Sequence, residues 1–369
     1  MNQGEEWDTM GLRVALLYNL KYHVPVPAGA PPDALAEYDT TETVEGIAAA
    51  LREGGHEVIP LEGDTTLLDT LRQVRPDICF NICEGLRGEA RESQVPALLE
   101  MLGIPYTGSG IVAQALSLDK GLAKRVWRDH GLPTAPFQVF VRGDEPLAPD
   151  LEFPLFVKPV REGSGMGITP RSVVGDEAAL REQVRWVIRT YRQPALVEGF
   201  LPGREFTVGI LGNRLQPGEE PPSPLYAPEG FHIFPVLEID VSHIAGAEGL
   251  YTSHVKGDMP LAPRYLCPAP IADDLARELQ RLAVAAFEAI GAVDVGRVDF
   301  RLDREGRPCL LEINTLPGLN PTYSDIVLAA RGGGMPYPVL VNEILHQALW
   351  RYRRMGVFNA LPLSDLAPT

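Results

Sequence analysis

Glu312 and Asn314 stand two residues apart in Leu310-Leu-Glu-Ile-Asn-Thr-Leu-Pro-Gly318, and Arg297 and Asp299 stand two apart in Gly296-Arg-Val-Asp-Phe-Arg-Leu302. On a strand that spacing puts both members of a pair on one face. Between the two stretches lies Asp303-Arg-Glu-Gly-Arg307, a short glycine-containing hairpin signal. With the turn centred between Glu305 and Gly306, Asp299 faces Glu312, Arg297 faces Asn314, and all four side chains share one face. A slip of one residue would part the two pairs. Two carboxylates and an amide oxygen repel one another unless a cation lies between them. Hard oxygen donors suit Mg2+, with phosphate oxygens completing the octahedron. Asp299, Glu312 and Asn314 are therefore the candidate metal ligands. The plainer alternative is a solvated strand face on which Arg297 pairs an acid. Against it stand Phe300, Leu310, Leu311 and Ile313, which mark a buried setting where an unpaired carboxylate is costly.

A second candidate is the loop Lys158-Pro-Val-Arg-Glu-Gly-Ser-Gly-Met-Gly-Ile168, between the strand FPLFV and a further strand. Gly163, Gly165 and Gly167 let backbone N–H groups approach phosphate oxygens, and the Ser164 hydroxyl adds a donor. No GK[ST] follows, so it is not a Walker loop, and no helix follows, so it is not a dinucleotide fingerprint. Lys158 at the end of a hydrophobic strand and Lys120 at the start of a helix gain meaning if both reach the same phosphates. Otherwise they are surface charge. Glu198 closes an apolar strand, and Glu205 follows seven residues later; such a connector suits adenine and ribose, although spacing alone leaves solvent-facing glutamates as the simpler account.

The elements that must position these groups follow from the apolar pattern. LRVALLYNL reads as a buried strand, residues 41 to 53 as a helix stopped by Gly54-Gly55, and EVIPL as the next strand, an opening βαβ unit. DICFNI and the helix in ESQVPALLEML continue the alternation, which predicts a small parallel sheet covered by helices. A basic helix, LDKGLAKRVWRDHGLP, leads into FQVF, FPLFVKPV, ITPRSVV, a helix near 176 to 190, PALVEGF and REFTVGIL, a second α+β unit. Residues 216 to 228, QPGEEPPSPLYAP, carry too much proline for regular structure. FPVLEIDV, a helix near 271 to 290 and the metal-bearing hairpin follow. With 369 residues, 45% of them hydrophobic, the chain can fill two or three packed units. Its formal net charge of -16 repels nucleic acid. Cys79, Cys83, Cys267 and Cys309 have neither zinc nor redox spacing and read as reduced thiols. No stretch is apolar over a membrane-spanning length, so a soluble cytoplasmic protein is expected.

Taken in order, GIPYTGSG, LDK, VKPVREGSGMGI, LVEGFLPGREFTVGIL, GRVDFRL and LEINTLPGL resemble the ATP-grasp superfamily, and within it the D-alanine–D-alanine ligase family, over most of the chain. The resemblance implies an α/β protein with an α+β central part in three domains. These are an N-terminal parallel-sheet substrate domain (1–120), a central ATP-grasp subdomain with the glycine loop (121–215), and a C-terminal subdomain with the metal site and a lid (216–369). ATP would lie between the last two. It implies activation of a carboxylate as an acyl phosphate and attack by an amine, with ATP, two Mg2+ ions (or Mn2+ in their place) and small amino acids as reactants, and a homodimer. Carried over residue by residue, Lys120, Lys158, Ser164 and the backbone from Gly163 through Gly165 to Gly167 would hold phosphates. Glu198 and Leu201 would read adenine, and Glu205 the ribose. Arg297 would stabilise the oxyanion, with Ser164 and Lys256, on a mobile loop, completing the catalytic set. Gly318 and Ser324 would take the second substrate's carboxylate. The amino-acid half departs from the family. Tyr18-Asn-Leu-Lys-Tyr-His-Val and a proline-rich insertion replace the first glycine-rich loop and its glutamate, for which Glu37 is a candidate. Gly257 stands where a tyrosine follows the lid lysine. NICEGLRGEARES replaces a His-Gly turn, so that Glu84 and Arg87 face the first substrate. Three readings remain open: a ligase for D-alanine or for other amino acids, a regulatory nucleotide-binding protein, and a small-molecule kinase.

Overall fold

The computed structural model describes residues 11–26, 28–245, 249–252, 254–255 and 262–357. Lys256 and Gly257 lie outside them.

β1 (Arg13–Tyr18) is central in a three-stranded parallel sheet, flanked by β2 (Glu57–Glu62) and β3 (Ile78–Asn81). Its inner residues Val14 to Leu17 are fully buried because helices cover both faces of a parallel sheet. The crossover helix α1 (Thr41–Glu53) buries Val44, Ile47, Ala48 and Leu51 and stops at Gly54, with Gly55 in the left-handed conformation. Helices α2 (Leu67–Val74), α3 (Gln94–Leu102), α4 (Ile111–Leu118) and α5 (Lys120–Asp129) follow. The Asp119 side chain caps α5 by accepting from Leu122 N at 2.9 Å.

A four-stranded antiparallel sheet runs β4 (Phe137–Phe140), β7 (Ala195–Gly199), β5 (Leu155–Pro159), β6 (Val173–Val174), with α6 (Glu177–Tyr191) packed on β5. The strand expected at ITPRSVV shrinks to β6 alone, because Pro170 opens a 3-10 turn closed by a Thr169–Ser172 capping box. A six-stranded sheet takes the rest. β11 (Arg264–Leu266), β10 (Leu237–Asp240), β8 (Glu205–Gly212), β12 (Asp294–Leu302) and β13 (Pro308–Asn314) lie in that order, with β9 (Phe231–Ile233) on β8. REFTVGIL, expected in the second unit, is therefore β8 and lies between β10 and β12.

Helix α7 (Asp273–Ala289) covers the large sheet and packs with Trp127 of α5, whose indole donates to Ala286 O at 3.3 Å. After β13 come α8 (Asp325–Gly332) and α9 (Tyr337–Arg354), and α9 returns to pack on α1. A buried knot ties these parts together. Asp294, fully buried and at φ +65°, accepts from Arg351 at 2.9 and 2.7 Å, from Asn213 at 3.0 Å and from Gly108 N at 2.9 Å. All four cysteines are free thiols. Among the described residues no helix is long and apolar enough to cross a membrane.

Candidate active site

The hairpin β12–β13 sets the site. Arg297 pairs with Asn314 and Asp299 with Glu312, as the sequence predicts, but the turn is not centred between Glu305 and Gly306. Asp303 N bonds Arg307 O, and Gly306 takes φ +78°, so the turn centres on Glu305. Closer to the turn Phe300 faces Leu310, and a bulge at Leu311 adds the one residue that restores the register beyond it. Without that bulge Asp299 would face Leu311 and the polar groups would part.

Arg297 and Asp299 are 5% and 8% exposed. Arg297 Nε and Nη2 grip Asp299 at 2.9 and 2.7 Å, and its Nη1 lies 3.3 Å from Asp325. Burial works against the guanidinium charge, but Asp299 and Asp325 win and hold it firmly protonated. Asp299 also accepts from Thr207 at 2.6 Å and from Asn314 Nδ2 at 3.0 Å, so each of its oxygens already takes two donors. Asn314 thus turns its amide nitrogen to the acid and its oxygen away, the orientation that a carboxylate neighbour selects. Glu312 lies 3.4 Å from Lys120. Glu205, at the start of β8, is pushed up to about 7 by burial and by Asp299, Glu312 and Asp325, with Arg301 opposing. That excess of acid fits a divalent cation at Asp299, Glu312 and Asn314, provided Arg297 or Asn314 yields a lone pair of Asp299.

Lys158 and Lys120 line one narrow cavity, and Lys158 has a tie that the sequence does not announce. Glu198, 2% exposed, holds Lys158 at 2.7 Å and Lys124 at 2.8 Å. Burial pushes its carboxyl up, yet the two lysines pull it down to about 2. Its carboxylate therefore holds Lys124 and Lys158 in place. Lys124, four residues from Lys120 on α5, also donates to Thr134 at 2.6 Å. Glu198, Leu201, Glu205, Lys158, Gly165, Asp299, Arg301 and Phe200 wall a narrow cavity of about 90 Å³. This is below the few hundred Å³ of ordinary ligand pockets.

The glycine loop itself is clasped by acids. Gly163 N donates to Glu37, Gly167 N donates to Asp33 Oδ2 at 2.9 Å, and Tyr191 OH also bonds Asp33. The N–H groups expected to take phosphate are thus held by carboxylates of the segment before α1. Ser164 takes φ +49° and faces a second, larger cavity. Arg91 joins Glu37 at 2.5 Å and Glu162 at 3.2 Å, and Lys120 Nζ donates to Glu162 O.

The larger cavity, about 620 Å³, has Glu84, Gly318 and Ser324 in its wall, together with Asn314 and Ser164. Ser324 stands at the N-cap position of α8 without capping it by its side chain, its hydroxyl accepting instead from Asn320 N at 2.8 Å, and a Cβ on Gly318 would stand 3.1 Å from Ser324 Oγ. Arg87 is exposed and absent from that wall. Lys120, Ile168, Arg297, Glu312 and Asp325 belong to both walls, so the two cavities meet at four charged side chains and one isoleucine. Asp325, Lys124 and Asp33 join the site without having been expected there. Asp325 directly follows Ser324, Lys124 sits one turn from Lys120, and both could have been found from those neighbours. Asp33 carries no signal in the sequence.

Residues 126–346 match the model of the D-Ala D-Ala ligase C-terminus. An uncharacterised protein, y4sG, of Sinorhizobium fredii is 39% identical over 85% of this chain and 89% of its own length. D-alanine–D-alanine ligases of Nitrosococcus oceani and Bordetella pertussis are 34% and 37% identical, over 83% and 82% of this chain and 87% and 90% of theirs. The crystal structure of the D-alanine–D-alanine ligase from Bacillus anthracis complexed with ATP covers 94% of this chain and all of its own, with a TM-score of 0.70 at 20% identity, a likeness of fold. The chain belongs to the D-alanine–D-alanine ligase family of the ATP-grasp fold and is an ATP-dependent ligase.

Proposed function

We propose that the protein joins two small amino acids through an amide bond, activating the carboxylate of the first as an acyl phosphate at the expense of ATP. The observation that carries this reading is the meeting of the two cavities at Lys120, Arg297, Glu312 and Asp325, which brings a lysine- and acid-lined cleft up against a larger pocket. Lys158, oriented by Glu198, and Lys120 would hold phosphate oxygens from the narrow side. Bound at Asp299, Glu312 and Asn314, Mg2+ would neutralise the charge of the phosphates. Arg297 Nη1, turned from Asp325, would meet the oxyanion as the amine attacks the acyl phosphate. Gly318 and Ser324 would seat the carboxylate of the attacking amino acid, and the glycine loop, once free of Asp33 and Glu37, would close over the γ-phosphate and exclude water. Two ions, Mn2+ as a substitute, the division at residues 120 and 200, and a homodimer belong to the same reading.

The test is ATP turnover across amino-acid pairs, with mass spectrometry of the products. An amide product with ADP and phosphate supports ligation. Phosphate release with no ligated product from any pair overturns it, and a phosphate ester would make the protein a kinase. A regulatory ATP binder has no use for Arg297 beside Asp299 and Asp325, which weighs against that reading.

A further inference from the structure

Asp325 is a buried acid at the meeting of the two cavities that neither phosphate binding nor the metal site uses. It opens α8 directly after Ser324, is 2% exposed, and lines both cavities. Its Oδ2 lies 3.3 Å from Arg297 Nη1, and its Oδ1 accepts from the Tyr251 hydroxyl at 3.5 Å, which in turn meets the hydroxyl of Tyr265 on β11 at 2.9 Å. Ligation makes a demand on this junction. Phosphates held by Lys158 and Lys120 lie on the narrow side, and the second substrate's carboxylate belongs at Gly318 and Ser324 on the larger side, so the attacking nitrogen has to stand where the two meet. At neutral pH an α-amino nitrogen is mostly ammonium, which has no lone pair and cannot attack until a proton is removed. The side chains common to both walls leave one acceptor for that proton. Lys120 and Arg297 repel an ammonium, Ile168 has no polar atom to offer, and Glu312 faces Lys120 and the metal position. Asp325 remains.

We infer that Asp325 receives the ammonium of the attacking amino acid and, as general base, takes the proton that frees its lone pair. This rests on the ligase reading and adds a catalytic residue to the same site. Arg297 and the ammonium change places on the carboxylate. As Arg297 Nη1 leaves Asp325 for the developing oxyanion, the incoming cation takes the position it gave up, so the buried acid keeps a counter-charge until it accepts the proton. One ammonium proton passes to Asp325, and the nitrogen lone pair forms the C–N bond. The C–O bond to the phosphoryl group breaks, and phosphate departs with that electron pair and a second proton from nitrogen. Asp325 then yields its own proton to water. The placement suits an α-amino acid, whose ammonium and carboxylate branch from one carbon, because Asp325 directly follows Ser324 in the chain and both line the larger cavity.

The experiment compares two nucleophiles on the full chain with ATP and Mg2+. The standard amino acids of both hands are offered in turn as carboxyl donor, with either a second amino acid or hydroxylamine as acceptor, and amide and hydroxamate are measured by mass spectrometry. Hydroxylamine is largely unprotonated at neutral pH and needs no base before it attacks an acyl phosphate. In Asp325→Asn amide formation should fall about 100-fold or more beyond any fall in hydroxamate formation, the lower end of what general acid–base catalysis supplies. Asp325→Glu keeps a charge beside Arg297 but displaces its oxygens, and should show a selective loss of amide between those of the wild type and Asp325→Asn. It decides alone if the asparagine variant lacks the native circular dichroism spectrum. An equal fall of both products overturns the inference, since that is the mark of Arg297 merely deprived of a partner. So does an undiminished amide rate. Neither amide nor hydroxamate from any donor in the wild type overturns the ligase reading and the inference with it, whereas hydroxamate from the wild type with no selective loss in the variants overturns the inference alone.

Discussion

Replacing Glu198 by glutamine keeps the shape of the side chain, removes its charge, and strands Lys124 and Lys158 against each other inside the protein. The Glu198 carboxyl sits at about 2 where an unperturbed one has 4.5. A tenfold change in proton affinity corresponds to about 1.4 kcal/mol, so the charged form contributes about 3 kcal/mol to the fold. Loss of one partner from a buried ion pair costs about 3–5 kcal/mol, so two routes agree. Because the folded value is depressed, this stability is present above the ordinary carboxylate range and is lost as pH falls from about 4.5 toward 2. E198Q should therefore unfold about 1 M earlier in urea at pH 7, with a slope of about 2–3 kcal/mol per molar, and should lose less stability than the wild type as pH falls below 4.5. Intrinsic fluorescence of urea-induced unfolding at stepped pH reads both. KM for ATP should rise as well, since Lys158 loses its guide. An unchanged midpoint at pH 7 with the same acid limb as the wild type would refute the reasoning.

Other substitutions test other joints. Asn314→Ala should abolish turnover while circular dichroism stays native, and undiminished turnover would remove the metal assignment. Arg297→Lys loses the two-pronged grip on Asp299 and should lower kcat about 100-fold or more, which steady-state kinetics would show. Asp33→Ala releases Gly167 N–H and one hold on the glycine loop. Up to about tenfold lower KM for ATP is expected, since a charge-assisted hydrogen bond contributes about 1.5–3 kcal/mol and part of it is lost to water. Arg351→Ala leaves Asp294 buried with its main charge partner gone and should cost about 3–5 kcal/mol by denaturant titration, without touching either cavity.

Regular elements are legible where burial follows a period. LRVALLYNL, the helix at 41–53 and the basic helix stand within a residue or two of expectation, because the strand is an unbroken apolar run and each helix has one apolar face with a glycine or aspartate at an end. The metal-bearing pairs are legible for a different reason. Alternation fixes the face, and the bulge at Leu311 corrects an error of half a residue in the turn that sequence alone could not reveal. REFTVGIL is misplaced by its sequence because a strand's pattern says it is buried but not which sheet claims it. Glu198 looks like a connector acid since its two lysines lie 40 and 74 residues upstream, separations that local spacing does not register. The clasp of Asp33 on the glycine loop spans 134 residues and begins in a segment whose prolines suggest only an insertion. Contacts of that kind are chosen by tertiary packing and leave no periodic trace.

The central claim is that the carboxylate of an amino acid attacks ATP and then loses one oxygen to phosphate when the amine displaces it. Turnover with a substrate carrying oxygen-18 in its carboxylate tests this directly. Released phosphate should contain one labelled oxygen for each amide formed. Amide formed with unlabelled phosphate, or ATP consumed with all label retained in the amino acid, would contradict the claim.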